Sequence, residues 1–232
     1  MDFRGKNKVI IHEFFRWLAL ITAWPVQLLF FKRKTYYEDR SEQGRVVRGN
    51  ALIISNHYSV FDYMVNLFLF PFRKLYVVNS EWIYQKGKFF HWGMKCFGGI
   101  RSDRDIMGMR FIDEAIKTLE RGKLVQIYPE AKITTTGDMM DFKTSYILIA
   151  LRSGAPIIPV IIDGNYGVFK RTHIIVGKKI YLNDYCTSPN PTREEIVALN
   201  ETVYAKCKEL KADLDARIAR DSKSKNKKEK TK

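Results

Sequence analysis

The stretch ALIISNHYSVFDYMVNLF, from Ala51 to Phe68, decides the fold of this 232-residue chain. It opens with the uninterrupted apolar run Leu52–Ile54, which is typical of a strand buried on both faces. Polar residues, His57 and Asp62 among them, follow directly, and the apolar residues then recur at helical spacing. This order predicts a buried strand, a short polar loop and a helix that begins near residue 61.

Strand and helix patterns alternate through the rest of the chain. Strands are predicted at 51–55, 74–78, 123–129 and 156–162, with a short strand or loop at 98–104 and a hairpin around Gly177. Helices are predicted at 61–70, 81–96, 106–122, 142–153 and 192–219. The two prolines of the strand at 156–162 indicate an edge position or a strand start. Together these segments predict an α/β fold, a single domain with a central mixed, mostly parallel sheet flanked by helices.

The composition narrows the class of partner. Hydrophobic residues make up 46% of the chain, which excludes a disordered protein. The formal net charge of +15 predicts a polyanionic partner, either nucleic acid, an anionic membrane surface or a phosphorylated substrate. The three cysteines have neither metal-ligand spacing nor a disulfide pattern, which indicates a reducing compartment; they are Cys96, Cys186 and Cys207.

The N-terminal region has an uncharged run of 15 residues, Trp17–Phe31, with basic residues on both sides. A spanning helix needs about 20 apolar residues, and this run also contains Pro25. The pattern favours a helix or kinked helix pair embedded in one leaflet at the cytoplasmic face; a tilted single span is the second choice and a buried core helix the third. The predicted division is a membrane-associating helical segment at 1–40, an enzymatic domain at 41–219 and a disordered basic tail at 220–232.

His57 and Asp62 form an H-x4-D pattern at the end of the first buried strand. On one regular helix they would not share a face, but they can meet if the histidine lies in the loop and the aspartate in the first helical turn. The aspartate would then fix the imidazole tautomer and leave the other ring nitrogen as a base. Such a base can take a proton from an alcohol as the alcohol attacks a carbonyl.

Three further blocks follow the H-x4-D pattern in a recognisable order. The four are NHYSVFD (56–62), GGIRSDR (98–104), YPEAKIT (128–134) and APIIPV (155–160). In order and spacing they resemble the motifs of the glycerolipid acyltransferases, and the chain is similar to their lysophosphatidic acid (1-acyl-sn-glycerol-3-phosphate) acyltransferase type. The resemblance covers roughly residues 51–182.

The resemblance implies acyl transfer from acyl-CoA or acyl-carrier protein to the hydroxyl of a lysophospholipid, with membrane lipids as further partners. It implies that His57 is the general base and that Asp62 orients it. It implies neither a cofactor nor a metal. The acceptor phosphate is expected to be held by residues of the second and third blocks, namely Arg101, Arg104, Glu130 and Lys132.

Two departures from the family pattern bear on the acceptor. The third block has Glu130-Ala131-Lys132-Ile133 where the family has Glu-Gly-Thr-Arg, so that isoleucine replaces the arginine. Lys132 can supply a cation, although a lysine is a point charge and not a bidentate fork. Asn79 stands where a basic residue is expected after the second strand. These changes leave open a different lysophospholipid as acceptor.

Other functions compete with this interpretation. Nucleic-acid binding suits the charge, but the basic residues are dispersed and no nucleic-acid-binding motif is present. A non-catalytic lipid-binding relative of the same fold stays open because the third block is altered, and so does transacylation between phospholipids.

Overall fold

The computed structural model describes residues 3–70, 72–80, 87–102, 110–134, 136–186 and 191–229, with side chains described from residue 10 to residue 224 within these ranges. A seven-stranded sheet forms the centre, in the order β1-β7-β6-β2-β5-β3-β4. Neighbouring strands are parallel except for β6 and β7. The sheet is therefore mixed and mostly parallel, as predicted. The strands are β1 Lys34–Tyr37, β2 Ala51–Ser55, β3 Leu75–Ser80, β4 Gly99–Ser102, β5 Leu124–Ile127, β6 Ile157–Ile162 and β7 His173–Val176.

Helices cover both faces of the sheet. In the described residues they are α1 Phe3–Phe31, α2 Phe61–Leu69, α3 Lys88–Cys96, α4 Arg110–Glu120, α5 Ser145–Ser153 and α6 Arg193–Glu229. Alternate residues of β2 enter different cores. Leu52 and Ile54 pack with α4, α5 and α6, whereas Ala51 and Ile53 pack with α2 and the end of α1. Burial on both faces explains the continuous apolar run from which the strand was predicted.

Two positions were predicted for the strand at 156–162: the edge position is wrong, whereas Pro156 does lie at the strand start, directly before β6. β6 lies between β2 and β7, and Pro159 is inside it. The Pro159 carbonyl accepts the N–H of Gly177, just past the end of β7, and the proline is tolerated because the neighbouring chain bulges at this point and interrupts the regular ladder. The hairpin predicted around Gly177 is also absent. The chain bulges there and continues along β6, where Ile180 pairs with Ile157. A Cβ at Gly177 would lie 2.6 Å from the Pro159 ring, so this bulge requires glycine.

The segment limits also differ from those expected. β1 lies within the predicted N-terminal segment 1–40, yet it pairs with β7 as a member of the sheet. At the other end, α6 continues to Glu229, past residue 220, where the disordered tail was predicted to begin. Asp221 explains part of this continuation, because its carboxylate accepts hydrogen bonds from Lys34 and Tyr36 and ties the helix to β1.

The N-terminal helix α1 is continuous through Pro25, whereas a kinked pair was one of the expectations. Its Ile10–Phe31 portion is the one helix in the described residues that is long and apolar enough to cross a membrane. Only 22% of that portion is buried against the rest of the protein. A core helix, the third choice from the sequence, would be mostly buried.

Candidate active site

The polar loops meet at the carboxyl edge of the sheet. β6, β2, β5, β3 and β4 are mutually parallel, so the loops that follow them leave the sheet on the same side. His57 follows β2, Glu130 follows β5 and Tyr166 follows β6. Because β2 lies between β6 and β5, these three loops are adjacent. This edge is where ligands commonly bind in open α/β sheets.

His57 and Asp62 are in contact, as the H-x4-D spacing predicted. The imidazole Nδ1 lies 2.8 Å from Oδ2 of Asp62. The same oxygen accepts hydrogen bonds from the backbone N–H groups of Tyr58 at 2.7 Å and Ser59 at 2.8 Å. Asp62 lies in the first turn of α2 and is fully buried, whereas the His57 side chain is 20% exposed. Three hydrogen-bonding groups thus hold the buried carboxylate, and of these the imidazole of His57 is the partly exposed side chain.

The second oxygen of Asp62 has a partner that the sequence did not indicate. The Tyr166 hydroxyl donates to Oδ1 from the loop after β6. Burial and the neighbouring Asp62 carboxylate raise the pKa of Tyr166 well above its usual value, so the phenol keeps its proton and remains a donor. The tyrosine ring packs against Phe31 and Phe61. Since Tyr166 is 104 residues from Asp62 and belongs to none of the four blocks, no local pattern could identify it.

The His57 ring is also positioned through its face. It stacks on Tyr128, with 4.2 Å between ring centroids and 20° between planes. With Nδ1 directed to Asp62, Nε2 is the ring nitrogen that remains for a substrate. Among the described residues no group hydrogen-bonds Nε2. The imidazole is therefore fixed in orientation and carries one available basic nitrogen.

Glu130 supports the loops and does not face outward. Its Oε1 accepts the backbone N–H of His57 and its Oε2 that of Met140, each at 3.0 Å. Burial raises the pKa of this carboxyl group, and the two backbone donors oppose the rise. A buried carboxylate with both oxygens engaged is a poor ligand for a phosphate, which has the same charge sign. The phosphate contact predicted for Glu130 does not fit this position.

The loop after Glu130 lies beside His57. The Thr134 N–H donates to the His57 carbonyl at 2.9 Å. Ala131 has a φ of 55°, a left-handed conformation that glycine adopts without strain. The family has glycine at this position of the third block. Lys132 is exposed, as expected for a residue that meets a substrate, and Ile133, in the position of the family's arginine, is 41% exposed.

Of the two arginines of the second block, the structure describes Arg101. Arg101 is an exposed residue of β4, on the same edge as His57. Three strand spacings separate β4 from β2, which is about 14 Å. A long substrate would be needed to contact both residues. Arg104 lies outside the described residues, as do residues 81–86 of the helix predicted at 81–96.

Asn56 is a second residue that the sequence analysis did not single out. Its side-chain nitrogen donates to the Ile162 carbonyl at 2.8 Å, and its oxygen accepts the Ile162 N–H at 2.9 Å. This buried amide joins the ends of β2 and β6, so it places the loops that carry His57 and Tyr166 side by side.

Comparisons with known proteins identify the family of the chain. A protein-family model described as Acyltransferase matches residues 14–163. The 1-acyl-sn-glycerol-3-phosphate acyltransferase of Bacillus subtilis is 27% identical over 154 residues, which cover 63% of this chain and 73% of that protein. The human 1-acyl-sn-glycerol-3-phosphate acyltransferase beta is 28% identical over 144 residues, which cover 61% of this chain and 51% of the human protein.

A solved structure supports the fold. The crystal structure of the 1-acyl-sn-glycerophosphate acyltransferase PlsC from Thermotoga maritima superposes with a TM-score of 0.55 at 20% identity, over 91% of this chain and 84% of that one. The family model covers more than half of the chain and includes both His57 and Asp62. The chain therefore belongs to the acyltransferase family.

Proposed function

We propose that this acyltransferase moves a fatty acyl group from acyl-CoA or acyl-carrier protein to the hydroxyl of a lysophospholipid at a membrane surface. The acceptor named for the relatives, 1-acylglycerol-3-phosphate, is the first candidate, in phospholipid synthesis or remodelling. The observation that carries the proposal is the His57–Asp62 pair, with Nδ1 bound to a buried carboxylate and Nε2 available.

The proposed mechanism uses this pair as a general base. Nε2 of His57 removes the proton of the acceptor hydroxyl while the oxygen attacks the carbonyl carbon of the acyl thioester. The Asp62 carboxylate stabilises the imidazolium that forms. When the tetrahedral intermediate collapses, the C–S bond breaks and the imidazolium returns the proton to the departing thiolate. The products are an ester and a free thiol, and no cofactor or metal takes part.

Cations beside the site are proposed to hold the acceptor phosphate. Lys132 is the best placed of the described candidates, because its loop is bonded to the His57 backbone through Thr134. Arg101 and Arg104 are the other candidates from the second block. We expect Lys132→Ala to raise KM for a phosphate-bearing acceptor more than it lowers kcat, because the lysine contacts a part of the substrate that does not react. An unchanged KM would assign the phosphate to the two arginines.

Membrane association is supported by the apolar surface near the site. The exposed side chains of α1 include Ile10, Phe14, Ile21 and Leu29. Phe89 and Phe90 of α3 extend this surface, since Trp92 of the same helix packs on Phe15 of α1. Each methylene that leaves water is favoured by about 0.8 kcal/mol, so long-chain substrates reside in the bilayer. An enzyme that contacts the bilayer through α1 at the cytoplasmic face meets them there.

One observation favours a second candidate acceptor. The exposed Ile133 replaces the cation that the resembling family places beside the acceptor phosphate. An apolar side chain there suits a lysophospholipid with a larger or less charged headgroup. Transacylation from a second phospholipid would use the same base and differ only in the donor.

The decisive experiment is acyl transfer from labelled acyl-CoA into a panel of lysophospholipids dispersed in detergent. General bases contribute about 10²–10⁴-fold, so His57→Ala is expected to lower kcat by that factor without unfolding the protein. His173→Ala is the matched control, because His173 and Asp163 form the other His–Asp contact described on this edge. Equal activity of His57→Ala and the wild-type protein would refute the proposed base.

Failure with every acceptor has its own interpretation. The assay would then be repeated with acyl-carrier protein and with phospholipid donors. Lipid binding without turnover in all three assays would establish the non-catalytic alternative and refute the proposed reaction.

A further inference from the structure

A pocket that does not include His57 or Asp62 lies next to the C-terminal end of α1. It encloses about 300 Å³ and is lined by residues that include Lys32, Phe169, Lys170, Arg171 and His173. It is bounded by the start of β1, the loop between β6 and β7, and α6. None of the four sequence blocks contributes to its lining.

The charge of this pocket is not balanced. Lys34 is neutralised by Asp221 through a direct contact. Lys32, Lys170 and Arg171 are exposed, and no carboxylate of the described residues forms an ion pair with any of them. Three cations around one pocket without acidic partners provide a site for an anionic group.

The wall behind these cations is rigid. His173 contacts Asp163 through Nδ1 at 2.7 Å and stacks on Tyr36 with 20° between planes. Its imidazole is held at two points, so it does not collapse into the pocket. The Thr172 hydroxyl donates to the Asn165 carbonyl at 2.6 Å and closes the loop on itself. The pocket is therefore formed before any ligand arrives.

The rim of the pocket is apolar and faces solvent. Phe169 is 99% exposed, and the adjacent Val168 is 47% exposed. Their loop is tied to the last residues of α1, because the N–H groups of Gly167 and Thr172 donate to the carbonyls of Phe30 and Phe31. The exposed aromatic ring thus continues from the end of the apolar helix.

We propose that this pocket binds the phosphate headgroup of an anionic phospholipid in the bilayer surface, with Phe169 inserted beside it. The inference rests on the membrane association proposed above and adds a specific lipid contact to it. Cations and an aromatic side chain at one level are the combination that a membrane interface favours. The connection to α1 favours a bilayer lipid over a nucleic acid, because it places the exposed Phe169 beside the end of an apolar helix.

The test is flotation of the full chain with vesicles of phosphatidylcholine alone or of equimolar phosphatidylcholine and phosphatidylglycerol. Each basic residue near an anionic surface contributes about 1 kcal/mol, which is a factor of about five. The double variant Lys170→Gln, Arg171→Gln is therefore expected to bind the anionic vesicles about 30-fold more weakly. Its binding to phosphatidylcholine is expected to stay unchanged. The same variants are also made in a protein that carries His57→Ala, so that vesicle binding is measured without acyl transfer.

The matched control removes the same charge elsewhere. Lys117 and Lys123 are exposed residues at the end of α4 and before β5, at the opposite edge of the sheet. Lys117→Gln with Lys123→Gln is expected to leave the binding nearly unchanged. Equal losses in the two double variants would mean that total charge drives binding and would overturn the pocket. Unchanged binding of the Lys170, Arg171 variant would overturn it as well.

Two further arms complete the test. Phe169→Ala is expected to weaken binding to both kinds of vesicle by about tenfold, because its contribution is apolar and independent of headgroup charge. Strong competition by free glycerol phosphate would mean that the pocket takes a soluble phosphate, contrary to the proposal. Loss of anionic binding with unchanged turnover in detergent would confirm the pocket and leave the proposed reaction intact. Intact binding without turnover would refute the reaction alone.

Discussion

Tyr166→Phe removes one hydroxyl from the candidate active site and leaves the rest of the side chain in place. The aromatic contacts of the ring with Phe31 and Phe61 are preserved, so the variant isolates the hydrogen bond to Asp62. A hydrogen bond to a charged group contributes about 1.5–3 kcal/mol. Asp62 is fully buried, so water cannot replace the lost donor. The free energy of unfolding is therefore expected to fall by about 1.5–3 kcal/mol.

The effect on catalysis follows from the geometry of the carboxylate. Oδ2 keeps its three contacts, so His57 stays bound, but Oδ1 loses the donor that holds the carboxylate in its plane. If Tyr166 positions the base, kcat is expected to fall by about 10–100-fold with little change in KM. Tyr166 touches no reacting atom in this mechanism, so it acts through Asp62.

Two assays and one control variant check this prediction. Denaturant unfolding measures stability, and acyl transfer to a detergent-dispersed acceptor measures kcat and KM. Tyr146→Phe is the control, because the Tyr146 hydroxyl is buried without a hydrogen-bond partner in the structure, and its removal is expected to be neutral or stabilising. The reasoning is refuted if Tyr166→Phe is as stable and as active as the wild-type protein.

Two other predictions concern the loop after β5. Ala131→Gly is expected to increase the free energy of unfolding by about 1 kcal/mol, because glycine relieves the strain of the left-handed conformation. The control Ala198→Gly, within α6, is expected to decrease the free energy of unfolding by about 1 kcal/mol. A destabilised Ala131→Gly protein would contradict the explanation. Burial raises the pKa of Glu130 above its ordinary 4.5, so in the interval just above pH 4.5 the folded state binds more protons than the unfolded state and stability falls as pH rises. Glu130→Gln lacks this contribution, and unfolding curves of the two proteins across that interval should diverge; parallel curves would refute it.

Much of this fold could be predicted because its information is local. The apolar run of β2 and the helical spacing after it lie within eighteen residues, and both elements were located within a residue or two. The H-x4-D contact was predictable for the same reason, since one loop and one helical turn determine it. The position of the Asp62 carboxylate beside His57 then follows from the geometry of the first turn of α2.

The errors come from contacts between distant segments. Nothing near β1 indicates that it pairs with β7. Nothing near Pro159 indicates that the regular part of the neighbouring strand β7 ends at Val176, beside the proline. Tyr166 and Asn56 were missed because their partners are more than one hundred residues away. The contacts of Glu130 with the backbone of His57 and Met140 could not be predicted, because a motif does not indicate what the oxygens of its carboxylate contact.

The order in which the chain is synthesised gives the hydrogen bonds of Asp62 and Asn56 a further meaning. Their partners, Tyr166 and Ile162, are translated more than one hundred residues later. The apolar helix α1 is synthesised before β6 and its loop, while His57 and Asp62 still lack these supporting groups. A nascent chain that ends before β6 carries both residues of the pair but no assembled base. If α1 contacts the membrane as proposed, that contact can form before the His57 site is complete.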